Sequence, residues 1–365
     1  MHPLPFDELA AHLKQRIELD GFDVQSFQIG PLRLNLAIST DCSPLMIDTA
    51  LSANRVVPDV CDDDREVVSA DLTVYVLHLS AGNQASCLKP FLHSPAQTLE
   101  MLSDPSLEQF FVRDDERQVL KVFDHKNRLG LLAIADFDCL PSWEIFSPVK
   151  EFIHLAALKK NCLLLHGASL VCPGASQEGV LLVGPGGSGK STLTAYGVTK
   201  GMQTNGDDYV LVDLSGKLPQ CWSVYRTMKL HPSSPVAQGW RPWQADPVTG
   251  KAVVLLEGVE QDGPLLKQST LSRICGLSLV QSAKVNNPKA KSIVSHPVRH
   301  PYLHSCMSTV QQIPYRIDVT LALAKKLHES IAYSAYTVQP GIQGLQFALA
   351  ALFHDQTVAT EVDKS

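Results

Sequence analysis

"VLLVGPGGSGKSTLTAYGVTK" runs from Val180 to Lys200. Its apolar start reads as a buried strand. "GPGGSGKS" then fits the pattern G-x-x-x-x-G-K-[ST], and "STLTAYGVTK" reads as a helix. A strand, a glycine loop and a helix in that order are the setting in which the pattern means nucleotide binding rather than chance. Gly184, Pro185, Gly186, Gly187, Ser188 and Gly189 form the loop. Its glycines let successive backbone N–H groups turn toward one anion, and the helix behind it adds the positive end of its dipole. Lys190 is expected to reach the outer phosphates, Ser191 to offer its hydroxyl to Mg2+, and Thr192 to serve a structural role. Residues 184–192 are therefore expected to bind ATP with Mg2+, and an α/β fold goes with them.

Downstream, "GMQTNGDDYVLVD" carries Asp207 and Asp208 side by side. A helix, a turn at Gly201 and a short return strand would bring them back to the phosphates. Two adjacent carboxylates suit two jobs: one can hold Mg2+ or its water, the other can accept a proton from an attacking hydroxyl. The plainer alternative is a hydrophilic turn, since G-D-D is good turn chemistry. Asp213 at the end of "YVLVD" and Glu257 in "VVLLEG" are rival metal carboxylates. His166 in "LLLHGAS" falls on the strand before the loop, either near the phosphates or as a core histidine. "VYRTMKLHP" supplies Arg226 and Lys229, either of which can neutralise charge on a transferring phosphate or simply decorate a strand. His296, His300 and His304 recur four apart, but Pro297 and Pro301 argue against the regular helix that a metal site there would need. "CDDDRE" (61–66) reads as a solvated loop.

At 365 residues the chain is long enough for two domains. Residues 1–145 predict a small α+β domain without a chemical signature, expected to recognise or shield the acceptor. It has an amphipathic helix after Pro5 (Phe6, Leu9, Ala10, Leu13, Ile17), strands at 32–40 and 72–80, and a hairpin over 118–137. Residues 146–365 predict the nucleotide-binding domain. It begins with a helix over 147–160, has further strands at 209–214, 252–258 and 276–283, and closes on helices at 319–333 and 341–354. A formal charge of -6 with both signs interspersed argues against nucleic acid or an anionic membrane as partner. Nine scattered cysteines without a CxxC fit free thiols rather than disulfides or zinc. No apolar run nears the ~20 residues that span a bilayer, and the N-terminus lacks an apolar signal core, so a cytoplasmic location is expected.

His-Gly on a strand, a hairpin, GPGGSGKST, a helix and then G-D-D resembles the HPr-kinase-like branch of the PEP-carboxykinase-type P-loop fold. The resemblance spans roughly 147–350 and is specific over 163–208. It implies a P-loop kinase domain in the C-terminal part. It also implies Asp207 as the base in phosphorylation, Asp208 and Ser191 as Mg2+ ligands, and His166 as the family's strand histidine. "SVYRTMKLHP" is similar to the segment after the acidic pair in HPr-kinase-related proteins of biosynthetic gene clusters. No "EIRG"-type segment is present, so an HPr-kinase-like phosphotransferase is implied rather than HPr as the acceptor. The expected activity is ATP-dependent phosphoryl transfer to a hydroxyl on a peptide, protein or metabolite. The alternative is a P-loop ATPase acting as a switch or motor. ABC ATPases share "GPGGSGKSTL", but an LSGGQ-like signature and a later strand ending in Asp-Glu are missing here.

Overall fold

The computed structural model describes residues 6–18, 22–40, 42, 45–56, 70–79, 88–93, 109–114, 119–136, 140, 142–174, 177–257, 263–279, 293–296 and 298–358. "CDDDRE" lies outside them. The chain is a mixed α/β protein that divides into two compact units. One comprises Met1–Lys160 with Ile313–Val319, the other Asn161–Gln312 with Thr320–Ser365.

The first unit holds one mixed sheet. Its strands are β1 (Phe22–Ile29), β2 (Leu32–Ser39), β3 (Arg55–Val56), β4 (Leu72–His78), β5 (Gln109–Asp114), β6 (Val119–Asp124) and β7 (Leu129–Ile134). Their order is β3-β1-β2-β4-β7-β6-β5. β1–β2 and β6–β7 are antiparallel hairpins, the second of them at the expected place, and β4 joins the two by parallel pairing on both sides. Strand alternation sorts the core. Leu129, Leu131 and Ala133 pack with Tyr75, Leu77 and Phe111 and with Leu9, Ala10 and Leu13 of the helix Phe6–Glu18.

Gly130 belongs to the other face, where an added Cβ would lie 2.9 Å from the Phe152 ring and 3.1 Å from Val74. Phe152 sits in the helix Lys150–Leu158, every residue of which is buried. That helix also carries Glu151, whose carboxylate meets Lys121 of β6 at 2.9 Å, with Glu144 at 2.5 Å from the same ammonium. Ring packing and this buried ion cluster explain why the helix belongs to the first unit. The boundary therefore runs after Lys160 rather than near residue 145. Gly130→Ala is expected to cost about 1–2 kcal/mol of stability by overpacking against Phe152, measured as a lower urea midpoint; an unchanged midpoint would contradict the close contact.

The second unit is built on an eight-stranded sheet. Its strands are β8 (Cys162–Leu165), β9 (Ala168–Val171), β10 (Glu178–Val183), β11 (Val210–Asp213), β12 (Gln220–Ser223), β16 (Gln268–Leu279), β17 (Ile293–His296) and β18 (Ala332–Val338). The remaining strands, β13 (Thr227–Leu230), β14 (Gln244–Ala245) and β15 (Ala252–Leu255), form a separate small antiparallel sheet. β10 and β18 both run parallel to β16, so the segments that follow β10 and β18 emerge at the same end of the sheet. Three helices follow: Pro301–Gln312, Ile317–Ser330 and Ile342–Val358.

Two expectations need correction. A helix does form beyond Pro301, because proline at a first helical position gives up an N–H that has no partner there. The helix expected over 319–333 stops at Ser330, and Ala332 already opens β18. No helix among the described residues is long and apolar enough to cross a membrane.

Candidate active site

The glycine-rich loop connects β10 to the helix Lys190–Thr199. Gly184 has φ +144°, and a Cβ there would overlap the Leu277 carbonyl oxygen of β16, so the loop lies tight on the sheet end. Gly187 (φ +77°) lies on the opposite, open side, where a Cβ at either Gly186 or Gly187 would have nothing within 4 Å. That opening leaves the backbone accessible from the cleft side. Lys190 is buried, and its ammonium donates to the carbonyls of Gly184 (2.8 Å) and Pro185 (3.2 Å). Burial pushes its pKa down, against the opposing pull of Asp207 and Asp208, and Lys251 adds to the lowering.

The acids arrive by strand register. β8 and β11 pair antiparallel with Leu165 opposite Val210, and pairing continues past the strand ends. Gly167 N–H donates to the Asp208 carbonyl (3.1 Å), and Ser169 N–H donates to that of Gly206 (3.2 Å). His166 therefore falls in the two-residue break between β8 and β9, not within a strand, and directly beside Asp208. Its Nε2 lies 3.2 Å from Asp208 Oδ1, while Lys229 Nζ lies 3.5 Å from Oδ2. Asp208 has φ +69°, a left-handed conformation that aspartate tolerates better than most residues.

Asp207 differs from its neighbour. It is 1 % exposed, and neither carboxylate oxygen has a partner in hydrogen-bonding geometry. Burial, and then the Asp208 charge, push its pKa up to about 6; Ser191 and Lys190 pull the other way. The Ser191 hydroxyl acts on this carboxylate from close by without completing a well-formed hydrogen bond.

The turn that presents both acids is held from below. Asn205 N–H donates to Ser169 Oγ (2.6 Å), and Asn205 Oδ1 accepts from the hydroxyls of Ser169 (3.1 Å) and Ser269 (2.5 Å). Thr204 Oγ1 donates to the Ser169 carbonyl (2.7 Å) and accepts from Gly206 N–H (3.0 Å). Thr204 and Asn205 were missed as supports. The signal was present in the pairing of "HGAS" with "TNGDD", small hydroxyl and amide side chains on two segments that must meet.

A cleft of about 390 Å³ opens over these groups, a size suited to a small-molecule ligand. Gly186 through Thr192 line it with His166, Asp207, Asp208 and Lys229. Gly184 and Pro185 lie beneath it and shape the loop through their carbonyls. Arg226 does not line it. Only Thr227 and Met228 separate Arg226 from Lys229, an odd spacing of three positions, so an extended chain turns the two to opposite sides. His231, Lys251, Leu279, Gln339 and Leu345 also line it, and sequence reasoning had given none of them a role.

The rival acids lie elsewhere. Asp213 ends β11 opposite Cys162, where it accepts from Ser215 N–H (2.9 Å). Glu257 follows β15 on the exposed surface. His304 bonds the Tyr333 hydroxyl (2.8 Å), and no group of three or more His, Cys, Asp or Glu side chains is gathered as for a metal among the described residues.

No protein-family model matches the chain, and no curated protein matches it either. Among solved structures it is similar to the HPr(Ser) kinase/phosphatase from Coxiella burnetii, at 13% sequence identity and a TM-score of 0.28. The match covers 54% of this chain and 98% of that one. The resemblance is distant.

Proposed function

We propose that the chain is an ATP-dependent phosphotransferase that moves the γ-phosphate to a hydroxyl of a peptide, protein or small-molecule acceptor. The reading rests on one observation above all: a buried carboxylate without hydrogen-bond partners, Asp207, beside the loop lysine and serine. A turn residue has no need to leave water in that way, and burial of a bare charge is costly. A general base benefits, because its pKa of about 6 lies near working pH and its lone pairs stay open to an incoming hydroxyl.

The residues suit Mg-ATP. The open space at Gly186 and Gly187 would admit phosphates close to the backbone, and the unpartnered oxygens of Asp207 would be available to the group to be activated. Ser191 and Asp208 would hold Mg2+, which would draw off charge from the outer phosphates. Lys190 would exchange its loop carbonyls for phosphate oxygens. Lys229 takes the role first divided between it and Arg226, balancing charge near Asp208. Asp207 would orient the acceptor hydroxyl and take its proton. Positioning and electrostatics account for most of phosphoryl transfer, so this small set is sufficient.

The test is transfer of γ-labelled phosphate from ATP to candidate peptides and metabolites, beside ATP hydrolysis. Labelled acceptor that depends on Asp207 supports a kinase. Hydrolysis with no acceptor labelled, and stimulated by a binding partner, supports the switch or motor instead.

A further inference from the structure

The helix Pro301–Gln312 brings one face onto His166. Thr309 Oγ1 accepts the His166 backbone N–H at 2.8 Å. Ser308 Oγ lies 2.5 Å from His166 Nδ1, and Gln312 Nε2 lies 3.5 Å from Ser308 Oγ. The Tyr209 hydroxyl closes the series at 2.5 Å from Gln312 Oε1. Ser308 and Gln312 are one helical turn apart, so their side chains stack along the same edge.

The direction of every bond follows from one end. An ionised carboxylate only accepts, so His166 Nε2 must carry the hydrogen that faces Asp208. In a neutral imidazole the other nitrogen then accepts, and the Ser308 hydroxyl donates to it. The lone pairs of Ser308 take the Gln312 amide hydrogen, and the Gln312 carbonyl takes the Tyr209 hydrogen. All donors point the same way, from Tyr209 to Asp208, and each bond polarises the next.

We propose that Ser308, backed by Gln312 and Tyr209, is a positioning residue that fixes His166 in the Nε2–H tautomer facing Asp208. The catalytic consequence rests on the phosphotransferase reading of the acidic pair. Asp208 is held at one oxygen by His166 and at the other by Lys229. With the opposite tautomer, a ring lone pair would face the carboxylate and repel it, and the carboxylate would lose its aim. A serine that served packing alone would bear on stability and leave the tautomer untouched.

The experiment uses the full chain, with side-chain 15N spectra of the histidines and His166→Gln to identify the signal. Wild type is expected to show Nε2 protonated, and Ser308→Ala to show a mixture of tautomers. Its kcat for transfer should fall about tenfold, the loss that goes with one hydrogen bond, with Mg-ATP affinity unchanged. Ser308→Thr keeps the hydroxyl and should restore both readouts. An unaltered tautomer in Ser308→Ala overturns the proposal, as does a threonine variant that restores neither readout. A tautomer change in Ser308→Ala, with no transfer by wild type to any acceptor, supports the Ser308 link and counts against the phosphotransferase reading alone.

Discussion

Asp207→Asn is expected to transfer phosphate about 10²–10⁴-fold more slowly than wild type while binding Mg-ATP with unchanged affinity. The substitution keeps the shape of the side chain and removes only the charge that accepts a proton. Wild type should lose rate as pH falls below about 6, where Asp207 takes up its own proton. The stability effect runs the other way. The folded pKa of Asp207, about 6, stands above its ordinary value of 3.8. Its contribution to stability is therefore full below about pH 4 and is lost as pH rises through about 6. At pH 8 the ionised, buried carboxylate opposes folding by up to about 3 kcal/mol, from a shift of about two units. Asp207→Asn removes that charge and should melt higher than wild type at pH 8, with the gap closing toward pH 4. A slow enzyme that is also less stable at pH 8 would mark Asp207 as a structural group. Wild-type transfer by the variant would remove it from the mechanism.

The parts of this site that could be read in the sequence are those that depend on backbone. Residues 184–192 were legible because the spacing of their glycines marks a tight backbone course, and at Gly184 (φ +144°) only glycine lets the chain lie on the sheet end. Asp207 and Asp208 were legible because chain length alone returns them to the loop. What depends on side-chain direction was not legible. Arg226 and Lys229 are equivalent as residue types, and only the extended course of the chain separates them. His166 was placed on a strand because "LLLHGAS" reads as one apolar run, yet β8 and β9 pair with different partners and leave it in the break between them.

The helix Pro301–Gln312 was lost for a different reason. Its two prolines carried the signal of a breaker, although Pro301 merely starts the helix. With it went Ser308, Thr309 and Gln312, since nothing in local sequence links residue 308 to residue 166. The division of the chain was misplaced through a similar long-range effect. "SPVKEFIHLAALKK" is a good helix by composition, but which core buries Phe152 and Glu151 is decided by Gly130 and Lys121.

Lys190→Met should weaken Mg-ATP binding about 100-fold or more, the second large effect expected at this site. In the structure the ammonium donates to the Gly184 and Pro185 carbonyls, so the ends of its bonds are already buried beneath the loop. A phosphate oxygen that takes over those hydrogens forms charge-assisted bonds, each about twice as strong as a neutral one. Methionine has similar length and supplies none of them. The loss is compounded by the two carboxylates opposite. Asp207 and Asp208 both act on Lys190, and without its charge they would repel a polyanion that enters the cleft. Isothermal titration calorimetry at two ionic strengths separates these contributions, because the repulsion from the partly exposed Asp208 is screened by salt and the lost hydrogen bonds are not. The deficit should shrink in high salt without vanishing. Folding should survive, since methionine fills the buried stem of the lysine and brings no charge of its own into the buried site. Equal affinity in variant and wild type would mean that phosphates do not reach the loop, and the nucleotide reading of residues 184–192 would fall with it.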